Sequence, residues 1–206
     1  MLKTKLGETS APAVRHLEVI DAEIHRLDRV VQTLVDFSRP VELHLREQDL
    51  RPVVQDVLSL AADELSTHNI SLVSRMPSKP LAAKIDADLL KQAVLNVIQN
   101  GAQAMKQGGR LEVVLEEDGK SAVLRISDEG PGISEEIRGK IFDLYFTTKS
   151  GGSGIGLAMT YRILQFHHGS VEVQSKRESG AEFLLRIPLA ATEWGRRIAP
   201  VEKNAI

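Results

Sequence analysis

The sequence contains no cysteine in 206 residues. That excludes a disulfide framework and any thiolate metal site, and it suits a reducing compartment. Excess charge of one sign is missing too. The formal net charge is −2, so the chain lacks the basic field that would draw it to nucleic acid. No apolar run approaches the ~20 residues that span a bilayer, and the N-terminus carries no signal-peptide pattern. We therefore expect no nucleic-acid partner, no membrane segment in this chain, and a cytoplasmic location, which includes the cytoplasmic part of a membrane receptor. Internal repeats and low-complexity tracts are absent. What is present is ordinary for a globular protein: 42% hydrophobic and 26% charged residues, with enough length for one sizeable core and a small extra element.

Hydrophobic spacing divides the chain. Residues 1–12 carry little apolar content and are expected to be disordered. From Pro12 to Ser38 a helix is expected, because Leu17, Ile20, Ile24, Leu27, Val31 and Leu34 recur at steps of three and four. That is a heptad seam, which a lone helix cannot bury. It either pairs with other helices or packs on its own domain. Arg39-Pro40 ends it. Beyond it the pattern predicts an α/β sandwich of one sheet and one helical layer. Strands are expected over Val41–Glu47, Ile70–Ser74 and Leu81–Ile85. Asp49 and Asp86 are candidate N-caps, and a helix over Leu50–Leu65 turns Val53, Val54, Val57, Leu58, Ala61 and Leu65 inward. Hairpins are expected from Leu111–Glu116 to Ser121–Ser127 around Asp118-Gly119, and from Ser170–Ser175 to Ala181–Ile187.

Three segments carry candidate chemistry. In LKQAVLNVIQNGAQAM, Asn96 and Asn100 lie one helical turn apart on one face. Their amide oxygens suit a hard cation such as Mg²⁺; equally, two Asn can simply line the exposed side of an amphipathic helix. In Ser127-Asp128-Glu129-Gly130-Pro131-Gly132-Ile133, Asp128 stands at the end of an alternating strand. Its carboxylate can accept a hydrogen bond from an exocyclic amine, which adenine has at position 6 and guanine replaces by a carbonyl. The same segment also reads as an ordinary turn. In Lys149-Ser150-Gly151-Gly152-Ser153-Gly154-Ile155-Gly156-Leu157, a glycine-rich run opens a helix. Backbone N–H groups there can hold phosphate oxygens, with Lys149 adding charge, although such a run can also be a flexible linker.

In this order, the three segments resemble the N, G1 and G2 boxes of histidine kinases, and Ile141–Lys149 resembles their F box. The resemblance extends from Val14 to Pro188. NGAQAM, FTTK and GSGIGLA are most similar to the nitrogen-regulator type of sensor kinase. It implies the GHKL-type ATP-binding fold: a two-layer α/β sandwich with a mixed, mostly antiparallel sheet and helices on one face, preceded by a long coiled-coil-like helix. It implies domains at 13–40 (the second helix of a truncated dimerisation and phosphoacceptor domain), 41–190 (the catalytic ATP-binding domain) and 191–206 (a tail or linker). Asn100 becomes the Mg²⁺ ligand and Asn96 a polar neighbour of the phosphates. Asp128 recognises adenine in a pocket shaped by Gly130 and Gly132. Phe142 and Phe146 pack a lid. Lys149, Gly152, Gly154, Gly156 and Leu157 lie on the phosphate side. Gly180 corresponds weakly to the last glycine box.

The cofactors implied are ATP and Mg²⁺. The implied partners are a response-regulator receiver domain and, in the intact protein, a second copy of the chain. The activity implied is transfer of the γ-phosphoryl of ATP to a histidine, then to an aspartate of the regulator. Related ATPases carry Glu-x-x-x-Asn, where the Glu activates water; here that position is Asn96, an amide that cannot act as a base. No His-Glu-x-x-Asn-Pro phosphoacceptor motif is present, since neither His16 nor His25 is followed by the required acid and proline. We therefore expect no catalytic residue within this chain, and ATP binding without self-phosphorylation. Two alternatives share the ATP site. A GHKL-type serine kinase would lack the heptad helix. A non-catalytic nucleotide-binding dimerisation module would keep it.

Overall fold

The computed structural model describes residues 42–149, 152–175 and 179–190, preceded by His16, Leu17, Ile20, Asp21 and Ile24. The chain divides into two compact units, Met1–Val41 and Glu42–Ile206. In the first unit the five described residues are helical and Leu17, Ile20 and Ile24 are exposed. Segment 1–12, the rest of the expected seam (Leu27, Val31, Leu34) and segment 191–206 lie outside the described residues.

The second unit begins with β1 (Arg46–Asp49), α1 (Leu50–Thr67), β2 (Ile70–Arg75) and β3 (Ala82–Ile85). Then come α2 (Ala87–Ala104), β4 (Gly109–Asp118), β5 (Ser121–Asp128) and the short α3 (Glu135–Arg138). It closes with α4 (Gly156–Phe166), β6 (Ser170–Ser175) and β7 (Ala181–Pro188). Five strands form one sheet in the order β2-β4-β5-β7-β6. Only β2 and β4 are parallel, and α2 supplies the crossover that a parallel pair requires. The other neighbours are antiparallel.

Alternation decides which face of the sheet is covered. Leu111, Val113 and Leu115 of β4, Leu124 and Ile126 of β5, and Phe183 and Leu185 of β7 are buried together with the inner faces of α1 and α2. Most alternate residues are polar and several pair across strands, Arg125–Glu116 at 2.7 Å, Arg186–Asp118 at 2.7 Å and Arg75–Glu112 at 2.8 Å, while Val123 and Leu184 are buried on that same face. One side is therefore a packed core, and the other a mainly polar face whose charged side chains lie over a small buried apolar strip at Val123 and Leu184.

Two expectations need correction. The strand expected over Val41–Glu47 runs instead over Arg46–Asp49, because its partner β3 offers a ladder only from Ile85 to Ala82. These two strands also form a separate ribbon rather than joining the main sheet, tied to it by the bridge Ala83↔Leu189.

The helix caps fall where the sequence placed them. Asp49 accepts from the Arg51 N–H at 3.2 Å, and Asp86 from the Leu89 N–H at 3.3 Å. Asp86 also accepts from the His44 N–H at 3.0 Å, and its own N–H donates to His167 Nε2 at 2.9 Å. Since an N–H can only donate, Nε2 accepts, and Nδ1 carries the proton toward the Ile163 carbonyl at 2.7 Å. Buried His167 thus locks the end of α4 to the start of α2.

Candidate functional site

Helix α2 runs with its apolar face on the sheet, which leaves Asn96 and Asn100 half-buried on the side facing the glycine-rich segment. Neither amide is merely solvated. Asn96 Nδ2 donates to the Gly156 carbonyl at 3.1 Å. Thr160 adds a second tie, its buried hydroxyl lying 3.0 Å from the Gly156 carbonyl and 3.2 Å from that of Ala93. The first turn of α4 is therefore pinned to the middle of α2.

Asn100 holds a cation. Lys149 Nζ lies 2.7 Å from Asn100 Oδ1, 3.2 Å from the Asn100 carbonyl and 3.1 Å from Gln103 Oε1. Burial pushes the Lys149 ammonium below the ordinary lysine range, against the opposing pull of the Asp128 carboxylate. Burial likewise pushes Asp128 above the ordinary carboxylate range, opposed by the N–H groups of Gly130 and Ala181 and by the Lys149 charge. Each charge is partly desolvated and partly supported by the other.

Asp128 is 9% exposed and ends β5 on the core side of the sheet, opposite Leu111 on one neighbour and Ala181 on the other. Its Oδ1 accepts from the Gly130 N–H at 2.9 Å. Two glycines allow that position. A Cβ on Gly101 would lie 3.3 Å from Asp128 Cβ and 3.1 Å from Leu111 Cδ1. Gly180, at φ +74°, rests on the Asp128 backbone carbonyl, where a Cβ would overlap. No L side chain fits that conformation and that space.

The remaining expected residues fall into three groups. Gly152, Gly154, Gly156 and Lys149 lie along one segment folded on itself: the Gly152 N–H reaches the Lys149 carbonyl at 3.1 Å, and the Gly154 carbonyl accepts from the Tyr145 N–H at 3.0 Å. Phe142, Phe146 and Leu157 are half-buried against the core, and the Phe142 ring lies 6.0 Å from that of Tyr161. Gly132 (φ +72°) belongs instead to the loop leaving Asp128; the Ile133 N–H after it donates to Ser175 Oγ at 2.7 Å. Beside that loop lies an open cleft of about 460 Å³, lined by Asp128, Arg138, Ser175, Gly180 and Glu182 among others. It adjoins Asp128 but is not lined by the two asparagines, and Lys149 sits on Asn100.

Gly101, Thr160, Ser175 and Gln103 were not singled out in the sequence. Gly101 left a signal, because glycine inside a helix costs about 1 kcal/mol and implies a close approach. The other three left none.

Asn100 Oδ1 is a neutral oxygen that already accepts from an ammonium, so its chemistry fits a hard cation. No group of three or more His, Cys, Asp or Glu among the described residues could hold a metal alone. A magnesium ion at Asn100 would therefore keep most of its coordination from water and phosphate, as Mg²⁺ commonly does.

Residues 85–191 match the family described as histidine kinase-, DNA gyrase B-, and HSP90-like ATPase. The chain is 32% identical to the signal transduction histidine-protein kinase AtoS of Escherichia coli K12, over 88% of this chain and 30% of that protein. It is 33% identical to the sensor histidine kinase ZraS of the same organism, over 85% of this chain and 38% of that protein. The chain thus spans about a third of the length of these relatives. Among solved structures it resembles the mycobacterial sensor histidine kinase MprB at 29% identity and TM-score 0.63, covering 70% of this chain and 97% of that one. The fold, the matched span and these relatives place the chain in the histidine kinase-, DNA gyrase B- and HSP90-like ATPase family, on its sensor histidine kinase branch.

Proposed function

We propose that this chain is the ATP-binding kinase portion of a two-component sensor, delivering the γ-phosphoryl of ATP to a histidine for relay to an aspartate on a response-regulator receiver domain. The observation that carries the reading is the meeting of α2, the end of β5 and the glycine-rich segment around Asn100, Lys149 and Asp128. Asp128, fixed by Gly130 and Gly180, accepts the exocyclic amine of adenine, with Gly132 shaping the base pocket. Asn100 is the protein ligand for Mg²⁺, which supplies charge neutralisation at the phosphates. Lys149 leaves the Asn100 amide and pairs with phosphate oxygens. Gly152, Gly154, Gly156 and Leu157 border the phosphates, Asn96 holds the first turn of that helix, and Phe142 and Phe146 pack the lid.

Catalysis on this reading is positioning and charge stabilisation. Asn96 cannot activate water, which favours transfer to a held nucleophile over hydrolysis. No residue of this chain is assigned as the phosphoacceptor. We assign 13–40 to a dimerisation helix, 41–190 to the ATP-binding domain and 191–206 to a tail. The exposed Leu17, Ile20 and Ile24 support a homodimer of the intact protein, and we assign the chain to the cytoplasm on its likeness to sensor kinases. Among the described residues no helix is long and apolar enough to cross a membrane.

The test is calorimetric titration with ADP and with a non-hydrolysable ATP analogue, with Mg²⁺ and with chelator. Tighter, Mg²⁺-dependent binding of the triphosphate analogue is expected. A chain that binds neither nucleotide, or binds both equally well without Mg²⁺, would reject the assignment.

A further inference from the structure

Ser175 ends β6, beside Ala181 of β7, which in turn stands beside Asp128 of β5. The three residues lie in one row on the core side of the sheet. The Ser175 hydroxyl has one proton and spare acceptor capacity, and both functions are used. It donates to the Gly180 carbonyl at 2.6 Å and accepts from the Ile133 N–H at 2.7 Å. Gly180 is the residue whose backbone rests on the Asp128 carbonyl. Ile133 follows Gly132, where the loop leaving Asp128 turns at φ +72°. A second contact braces the site, since Arg138 Nη1 reaches the Ser175 carbonyl at 3.4 Å.

We propose that Ser175 is a specificity-positioning residue: it closes the base-binding loop by fastening Ile133 to Gly180. The loop is then held at both ends. Gly130 binds the Asp128 carboxylate at the start, and Ser175 holds the chain at the finish. The carboxylate can discriminate an amine from a carbonyl on a base only if it stays fixed, since a mobile loop could rotate it away. Ser175 touches no ligand on this account and acts through Asp128. The inference rests on the reading of Asp128 as the base-contacting carboxylate.

The test uses the full chain titrated with ADP and with GDP. Ser175→Ala leaves the Ile133 N–H and the Gly180 carbonyl without their shared partner. Its ADP affinity is expected to fall by about tenfold, and its preference for ADP over GDP by a similar factor. Ser175→Thr keeps the hydroxyl and is expected to restore both. Amide hydrogen exchange at Ile133 should accelerate in the alanine variant and return to normal in the threonine variant. If the alanine variant is too unstable to titrate, Ser175→Cys takes its place, with similar shape but weak hydrogen bonding. A lowered thermal midpoint with an unchanged ADP-to-GDP ratio, or equal losses in the alanine and threonine variants, overturns the proposal and leaves the Asp128 reading standing. A wild-type chain with no preference for ADP overturns both.

Discussion

Asp128→Asn separates base recognition from folding. Oδ1 is committed to the Gly130 N–H at 2.9 Å, so the amide of the variant keeps its oxygen there and turns Nδ2 toward the base. An acceptor becomes a donor where adenine offers a donor. A hydrogen bond to a charged acceptor contributes about 1.5–3 kcal/mol, so ADP affinity should fall about 10- to 150-fold. GDP presents a carbonyl at the same position, so its affinity should hold or rise. The fold should survive. Burial holds the Asp128 carboxyl above the ordinary range, which means the native state binds more protons than the unfolded chain between the two pKa values. Wild-type stability therefore declines as pH rises through the folded value. The neutral amide escapes that cost but loses the acceptor facing the Ala181 N–H. These effects oppose each other, and the thermal midpoint should move by no more than about 3 °C at pH 7. Wild-type ADP affinity should also weaken on acidification, starting above the ordinary carboxylate range, while the variant's stays flat there. Calorimetry with ADP and GDP between pH 5 and 8, beside thermal melts, reads all of this. An unchanged ADP-to-GDP ratio in a folded variant would refute the reasoning.

Three further outcomes follow from the geometry. Asn100→Ala removes the oxygen that holds Lys149 at 2.7 Å; nucleotide binding should lose its dependence on Mg²⁺, and retained dependence in calorimetry would move the metal elsewhere. His167→Leu leaves the buried Asp86 N–H without its acceptor, costing about 1–3 kcal/mol; urea unfolding should show a lower midpoint at constant slope, with ADP affinity of the folded fraction preserved. Gly154→Ala places a side chain at φ +67° against the Tyr145 backbone; amide exchange should show lost protection at Tyr145, and ADP binding should weaken while the thermal midpoint of the core is retained.

The fold was largely legible because its signals are local. Asp118-Gly119 sits at the tip of the β4–β5 hairpin, with Gly119 at φ +64°. The six inward residues expected in the first helix of the sandwich are all buried in α1. Strand limits were less legible, since a strand lasts only as long as its partner. Val41–Glu47 has suitable composition, yet β3 offers a ladder of only four residues, Ala82–Ile85. Local pattern cannot anticipate where a partner 33 to 39 positions later will stop pairing, nor that the two will form a ribbon outside the main sheet.

The candidate site was legible only in part, because sequence names residue types whereas a site is made of distances. Asn96, Asn100, Asp128 and the glycines stood out as types. Their support did not: Asp86 with His167 is separated by 81 residues, Lys149 with Asn100 by 49, and Ile133 with Ser175 by 42. Nothing in a serine near a strand end announces a partner that distant. Lys149 makes the sharper case. Its place beside FTTK suggested a charge for the phosphates, yet its ammonium lies on the amide expected to hold the metal. A single cation cannot serve both places at once. On the proposed reading, Asn100 Oδ1 would hold the metal only once Lys149 has left it, and phosphate oxygens would offer Lys149 a stronger partner. Burial, which lowers the Lys149 pKa, favours that departure by making neutral amide oxygens a poor substitute for water around an ammonium.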